Sequence, residues 1–365
     1  MTRFSSVRNW YCLLALTFSG DLLADVQSFQ QSFYEPDYDK AFVIADYSYF
    51  DEGFDALGYA DKLNSSFRPK LATSIHVGFG FKFLDRLVLS YQRERSKGEV
   101  TRDREPFLLS SEVNGDRLGA RWKLGDVFDI DWTVEVAFSQ REQPSVSVSC
   151  YEYQNLVFGS CASSTLTFTD PETDAPMPLL TSSAEHDAWL LGLYANHSIF
   201  ERLNLTHHVV IKQSELAVNS TSPLFDIQSN FLLNSTFGGR RLGDVISDFS
   251  KELPQQTPWE ETSIRYGVSA SLPLTERWIF NAQLALLKVT RSGYQQLSGK
   301  PNYERNSVLS SSLWFTPKRN LSFYVEGMLT NRYLLGLDEL TYNQRTAKFF
   351  KYPFGQLKAG IVVGL

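Results

Sequence analysis

Residues 74–83 read SIHVGFGFKF, and the stretch has a period of two. Ile75, Val77, Phe79, Phe81 and Phe83 fall on one face, and Ser74, His76, Gly78, Gly80 and Lys82 on the other. Successive side chains of an extended strand point to opposite sides, so this alternation describes a ribbon with one greasy, aromatic face and one small or polar face. A few residues later, Leu87, Leu89 and Tyr91 alternate with Ser90, Gln92 and Glu94, which makes the segment around residues 84–86 a hairpin turn.

The same unit recurs along the chain. Leu118, Ala120, Trp122 and Leu124 precede a turn at residues 125–129, and Ile130, Trp132, Val134, Val136 and Phe138 follow it. Further hairpins are predicted around residues 200–203, 273–277 and 316–319. With a first strand at about 41–50 and a last at about 352–365, these give about twelve strands. Longer polar connections are expected at about 51–70, 98–111, 144–184, 217–261, 292–302 and 333–351. All the short turns therefore fall at one end and all the long connections at the other.

Mean hydropathy is −0.23 and the net charge −6, values compatible with a soluble acidic protein, yet 14% of residues are aromatic. A barrel in lipid has this signature, because only every second side chain meets hydrocarbon. In the bilayer core each unpaired N–H or C=O costs several kcal/mol, about the worth of a whole hydrogen bond, so an alternating ribbon must close on itself. The fold expected is all-β: a transmembrane antiparallel up-and-down β-barrel of about twelve strands spanning 41–365. Phe79, Phe81, Phe83, Trp122, Phe128, Trp132, Phe200, Trp278, Phe280, Trp314 and Phe315 gather beside the short turns, as an interfacial aromatic girdle would.

Arg3 and Arg8 precede an apolar run at residues 10–18, and a cleavage after Ala24 makes 1–24 an export signal. Residues 25–40 then form a short periplasmic or lumenal leader. Cys12 leaves with the signal. Cys150 and Cys161 remain, spaced to close a small disulfide loop in an oxidising compartment, the alternative being two free thiols. The acidic balance argues against nucleic acid as a partner.

The last eight residues, KAGIVVGL from Lys358 to Leu365, run polar, any, Gly, any, any, apolar, any, apolar. In this pattern Lys358, Gly360, Val363 and Leu365 resemble the C-terminal signal by which outer-membrane barrels are recognised, although many such chains end in Phe. The resemblance implies a Gram-negative outer-membrane location, with barrel-assembly machinery and periplasmic chaperones as partners in biogenesis and outer-membrane lipid and lipopolysaccharide as neighbours afterwards. Over 41–365 the layout resembles the translocator barrel of autotransporters. The sixteen residues from Asp25 to Lys40 are too few for a secreted passenger, so the similarity is to the solitary autotransporter-type barrel of gammaproteobacteria. That resemblance implies a passive pore or structural barrel without a reaction of its own; the alternatives are a small-solute channel and a barrel enzyme acting on lipid.

The predicted inward row carries Arg117, Arg121, Lys123, Arg265 and Lys358 against Glu94, Asp131, Glu135 and Glu326. Two readings stand side by side: a charge-selective channel, or interior ion pairs between strands, with Arg121 and Lys123 opposite Asp131 and Glu135. Of the five histidines, His197 and His207 fall on outward rows near the periplasmic rim. His186, beside Glu185 and Asp187, reads as a solvated residue at the outer mouth. A lipase-type barrel needs a His and a Ser held on one outward face near the outer leaflet, and the expected His-x-Ser is missing. Asp170, Glu172 and Asp174 do not match calcium-loop spacing. No catalytic residue, metal site or cofactor is assigned.

Overall fold

The computed structural model describes residues 41–50, 67–83, 86–102, 105–148, 150–152, 155–157, 166–167, 180–199, 203–221, 230–234, 236–237, 240–241, 243–244, 247, 258–295, 302–332, 335–337 and 353–365. The signal and leader readings, and the proposed Cys150–Cys161 bridge, lie outside the described residues.

Twelve antiparallel strands form a closed barrel among the described residues. They are β1 (Ala41–Phe50), β2 (Phe67–Phe83), β3 (Leu87–Arg102), β4 (Glu105–Val127), β5 (Ile130–Val148), β6 (Leu180–Ile199), β7 (Leu203–Thr221), β8 (Trp259–Pro273), β9 (Trp278–Ser292), β10 (Arg305–Lys318), β11 (Leu321–Thr330) and β12 (Phe354–Gly364). Each strand pairs with its neighbour in sequence, and β1 closes on β12 in register from Phe42↔Gly364 to Phe50↔Gln356. The Leu365 amide donates to the Ala41 carbonyl at 2.8 Å, completing the seam at the rim. No strand edge is left for lipid, which is the closure the alternating ribbons require.

Outward rows match the sequence pattern. Ile75, Val77, Phe79, Phe81, Leu118, Trp122, Phe138, Trp189, Leu191, Leu193, Leu284 and Leu309 are all exposed, so the outside of the barrel is its greasiest surface. On β6 the outward row from Trp189 to Ile199, apolar except at His197, spans roughly 25 Å along the membrane normal for a strand tilted about 40°. That is the height of a hydrocarbon core.

The expected connection at 98–111 is corrected by the structure: β3 and β4 run through it, in register as far as Arg102↔Glu105. Connections at 144–184 and 217–261 are likewise shortened by β5, β6 and β7. These strands rise above the lipid, where nothing demands an apolar outward row, so alternation of hydrophobicity fades while the ladder continues. Arg93, Arg95 and Lys97 occupy outward positions there, and Arg95 Nε meets Glu112 at 2.8 Å. Trp314 is a second correction. It lies on the inward row and is buried, so it does not belong to the girdle.

At the opposite end the turns are tight. Between β4 and β5, Phe128 and Asp129 both adopt left-handed backbone, φ 58° and 61°, the two-residue turn that suits strand twist. Between β8 and β9, the Thr275 hydroxyl accepts from the Arg277 and Trp278 amides.

Candidate functional site in the barrel lumen

In an open twelve-stranded pore a serine on the inner wall would face water. Here Ser48 and Ser322 are 0% exposed and Ser74 1%, and their own side chains are too small to cover them. Neighbouring side chains do so: His76, Glu94 and Ser96 around Ser74, and Thr316 at Ser322. The inner wall carries packed side chains in three zones.

At the end of the tight turns the packing is aromatic. Trp314 and Tyr324 stack at 4.4 Å and cluster with Ile44 and Val362, with Phe42 and Ile279 against them. These rings lie over glycines of the adjoining strand. A Cβ on Gly80 would collide with Phe42, and one on Gly360 with Tyr324. Glycine lets a ring lie flat on the wall, and two strands interlock. Of the predicted assembly-signal residues, Gly360 thus takes the Tyr324 ring, Lys358 is buried inward, Val363 pairs between Val43 and Leu321, and Leu365 is exposed at the rim.

The middle zone is ionic. His76 Nδ1 lies 2.7 Å from Asp46 Oδ1, and its Nε2 lies 3.2 Å from Ser74 Oγ and 3.7 Å from Glu94 Oε1. The Tyr324 hydroxyl donates to the other Asp46 oxygen at 3.0 Å. Glu94 also meets Arg141 NH2 at 3.5 Å, across β4. Gly115 makes that crossing feasible, since a Cβ there would sit 2.8 Å from Arg141 Cγ. One chain of contacts therefore ties β11, β1, β2, β3 and β5 together.

Beside it, Glu135 is held from three sides. Arg117 NH2 approaches Oε1 at 2.9 Å, Arg121 NH2 approaches Oε2 at 3.4 Å, and the Tyr194 hydroxyl donates to Oε2 at 2.6 Å. Glu135 is 2% exposed, and a carboxylate so deep is tolerable only with its lone pairs engaged in this way. Of the pairings expected across the β4–β5 turn, Arg121 does meet Glu135, but Arg117 comes closer. Lys123 stands in register with Thr133, and Asp131 with Asn196 and Asp126. Arg265, Glu326 and Lys358 are all buried on the inner wall, and Glu326 and Lys358 are register partners.

His186 overturns its reading as a solvated residue: it sits inside β6 and is buried in the lumen, in register with Arg141 and Leu216. Strand parity, counted back from Leu190 rather than from the end of the polar segment, points it inward. Sequence reasoning assigned no role to Asp46, Ser74, Arg141 and Tyr194, although it had placed Ser74 on the polar face with His76. All four follow from inward parity once β1, β2, β5 and β6 are placed. Ser74, His76 and Asp46 have the order of distances of a nucleophile, base and orienting acid, with Ser before His rather than after it. Ser74 also accepts from Ser96 at 3.0 Å and is 1% exposed, so its hydroxyl is engaged in contacts between strands. The cluster acts as a brace between strands.

The outer zone is apolar. Leu287, Val289, Val308, Met328 and Phe354 on the inner wall receive Leu335 and Leu337 from the segment after β11. Leu335 is 0% exposed. Asn306 pins that segment: its Nδ2 donates to the carbonyls of Arg332 at 3.0 Å and Leu335 at 2.8 Å, while its Oδ1 accepts from the Arg332 amide. Gly336, at φ 68°, lies directly over Leu287. Trp259 and Tyr294 meet edge to face beside this plug, and Arg291 bonds Glu261 at 2.8 Å. No metal-binding cluster occurs among the described residues.

No family model and no curated protein matches the chain. Among solved structures it is similar to the translocator domain of the autotransporter NalP from Neisseria meningitidis, with a TM-score of 0.52 at 9% identity, 93% of each chain being covered. It also resembles the beta domain of the Bordetella autotransporter BrkA (TM-score 0.46, 9% identity, 90% of this chain and 100% of that one). A further likeness is to the transport unit of the autotransporter AIDA-I from Escherichia coli (TM-score 0.44, 8% identity, 94% and 92%). The closed barrel of twelve antiparallel strands is thus a translocator-type fold, as its strand count and terminal pattern lead one to expect.

Proposed function

We propose that this chain is a Gram-negative outer-membrane protein whose barrel is sealed at rest: a structural barrel, with no reaction of its own, that holds the long segments between β5 and β6 and between β7 and β8 at the cell surface. Residues 1–24 direct its export, and its partners are outer-membrane lipid and lipopolysaccharide, with assembly machinery and chaperones acting on it in transit. The exposed apolar band and the translocator-type fold support the membrane location.

The observation that carries the sealed reading is the burial of small inward residues at mid-height, together with Leu335 seated in the outer mouth. Side chains packed to that degree over the inner wall narrow the room left for water, which is what favours the sealed reading. Reconstitution of the mature barrel in planar bilayers tests it. Rare, brief openings over a silent baseline are expected, and steady conductance steps that scale with salt would replace the sealed barrel by a channel.

A further inference from the structure

Strands β9 and β10 carry matched pairs at the two edges of the lipid band. Beside the tight turns, Trp278 and Phe315 are register partners, and their rings pack at 4.6 Å. Ten residues further along each strand, Lys288 and Arg305 are register partners in turn. All four stand on outward rows, and the outward positions between them hold no charge. Ten residues of a strand tilted about 40° rise roughly 25 Å, the height of a hydrocarbon core. An aromatic pair at one interface and a pair of cations at the other therefore bracket the lipid on this side of the barrel.

Like charges directly opposite each other on one face of a sheet destabilise it unless something offsets them. Lys288 has Ile264 on one side and Arg305 on the other, and among the described residues it makes no ion pair. Both side chains are exposed. Glu304, the acid nearest in sequence, falls at the opposite parity, with its carbonyl accepting from the Val289 amide. Elsewhere the outward wall at this end is acidic or already compensated. Glu185, Asp187, Glu215 and Glu260 are exposed on β6 to β8, and Arg95 on β3 meets Glu112. The edge of β9 and β10 is thus where an anion in the membrane surface meets attraction without a carboxylate beside it.

The leaflet opposite the tight turns presents one such anion at that level, the phosphate of lipid A, which anchors lipopolysaccharide. A guanidinium offers a fork of donors to two phosphate oxygens, and an ammonium adds a compact charge. Below the two cations, Leu284 and Leu309 are exposed on the outward rows, an apolar track for acyl chains.

We propose that Lys288 and Arg305 bind a phosphate of lipid A and seat one lipopolysaccharide molecule against β9 and β10. The site rests on the outer-membrane reading above and gives a fixed place on the wall to a lipid that is otherwise only a neighbour.

The test uses the full mature barrel in mild detergent, as wild type, K288A/R305A and the charge-keeping K288R/R305K. Each is titrated with bisphosphorylated lipid A, with fully dephosphorylated lipid A, which keeps the acyl chains, with dioleoylphosphatidylglycerol and with inorganic phosphate. Native mass spectrometry counts the bound molecules, and heat-dependent gel mobility checks that each variant is folded. Wild type should retain bisphosphorylated lipid A about tenfold more tightly than K288A/R305A, and K288R/R305K should stay within about threefold of wild type. Dephosphorylated lipid A should bind weakly and fail to distinguish the proteins. Equal retention of bisphosphorylated lipid A by wild type and K288A/R305A overturns the site. Wild-type binding of the dephosphorylated form at full strength does the same, since acyl packing alone then explains it. Phosphatidylglycerol or inorganic phosphate held as tightly as lipid A overturns lipid A as the ligand. Should wild type stay monodisperse without detergent, the membrane reading fails first and the lipid site with it.

Discussion

Substitution of Gly336 by Ala should unseat the segment that closes the outer mouth. Two costs combine at this position. Gly336 has φ 68°, where an L side chain costs roughly 1 kcal/mol or more. An added Cβ would also lie 2.5 Å and 2.8 Å from the two Leu287 methyls and 2.9 Å from Val289 Cγ2. Leu287 and Val289 are fully buried, so they have no space to retreat into, and forced overpacking of this kind costs about 1–3 kcal/mol. The sum, roughly 2–4 kcal/mol, would shift the balance between seated and released plug by about thirtyfold to several hundredfold. It should not unfold the barrel, because the plug can leave while the ladder stays intact. A cysteine at Met328, in the same apolar cluster but away from the Gly336 Cβ, reports the release in a background with Cys150 and Cys161 changed to Ser. Its labelling by a charged, water-soluble maleimide should accelerate at least tenfold in G336A, while the temperature at which the folded form disappears on gels falls only slightly. Labelling within twofold of the parent would refute the idea that this glycine holds the seal.

Glu135→Gln keeps the volume but removes the charge that Arg117 and Arg121 share, leaving buried guanidinium groups poorly compensated; a loss of about 3 kcal/mol or more is expected, read as a lower gel-shift temperature. Gly360→Ala should cost about 1–3 kcal/mol because its Cβ meets the Tyr324 ring, and Tyr324→Leu should recover part of that cost, so a double-mutant cycle with purely additive effects would count against the interlock. Gly115→Val should separate Arg141 from Glu94 and make the barrel less stable than wild type by an amount that largely vanishes when Arg141 is already Ala, measured by the same cycle.

Much of the architecture was legible because lipid imposes a strict rule on every second residue. Where hydrocarbon touches the wall, as from Ile75 to Phe83 or from Trp189 to Leu193, the period of two is visible and both the strand and its direction of facing can be read. Where the wall rises above the lipid the rule lapses, so the upper parts of β3 and β4 looked like a polar connection, and His186 looked like a residue of the outer mouth. The lumen was half legible. Parity places Arg117, Glu135, Arg265 and Lys358 inside, but which charges meet depends on shear between strands and on a glycine such as Gly115 that opens a path across one. The plug was hidden altogether. Nothing in a Leu-Gly-Leu after β11 separates a segment that folds into a barrel from one that stays outside, since its partners Leu287, Val308 and Phe354 come from three separate strands, β9, β10 and β12.

The three zones of the lumen rest on different forces, and that difference predicts how the barrel responds to salt. Glu135 is buried and His76 largely covered, so mobile ions enter poorly, screening is weak, and about 1 M salt should leave their pairs largely intact. The outer seal gains nothing from charge. Leu335 and Leu337 are held by apolar contact, and Asn306 by neutral hydrogen bonds, so raising salt should if anything strengthen the seat. The exterior pair Arg95–Glu112 stands above the lipid in water and is the sort of contact that salt does weaken. Salt should therefore loosen the rims of the long hairpins before it affects the lumen. Proteolysis of the mature barrel in about 1 M salt tests this order: earlier cleavage in the β3–β4 hairpin with unchanged maleimide labelling of a Met328→Cys reporter fits it, and faster reporter labelling in salt would show that charge, not apolar burial, keeps the mouth shut.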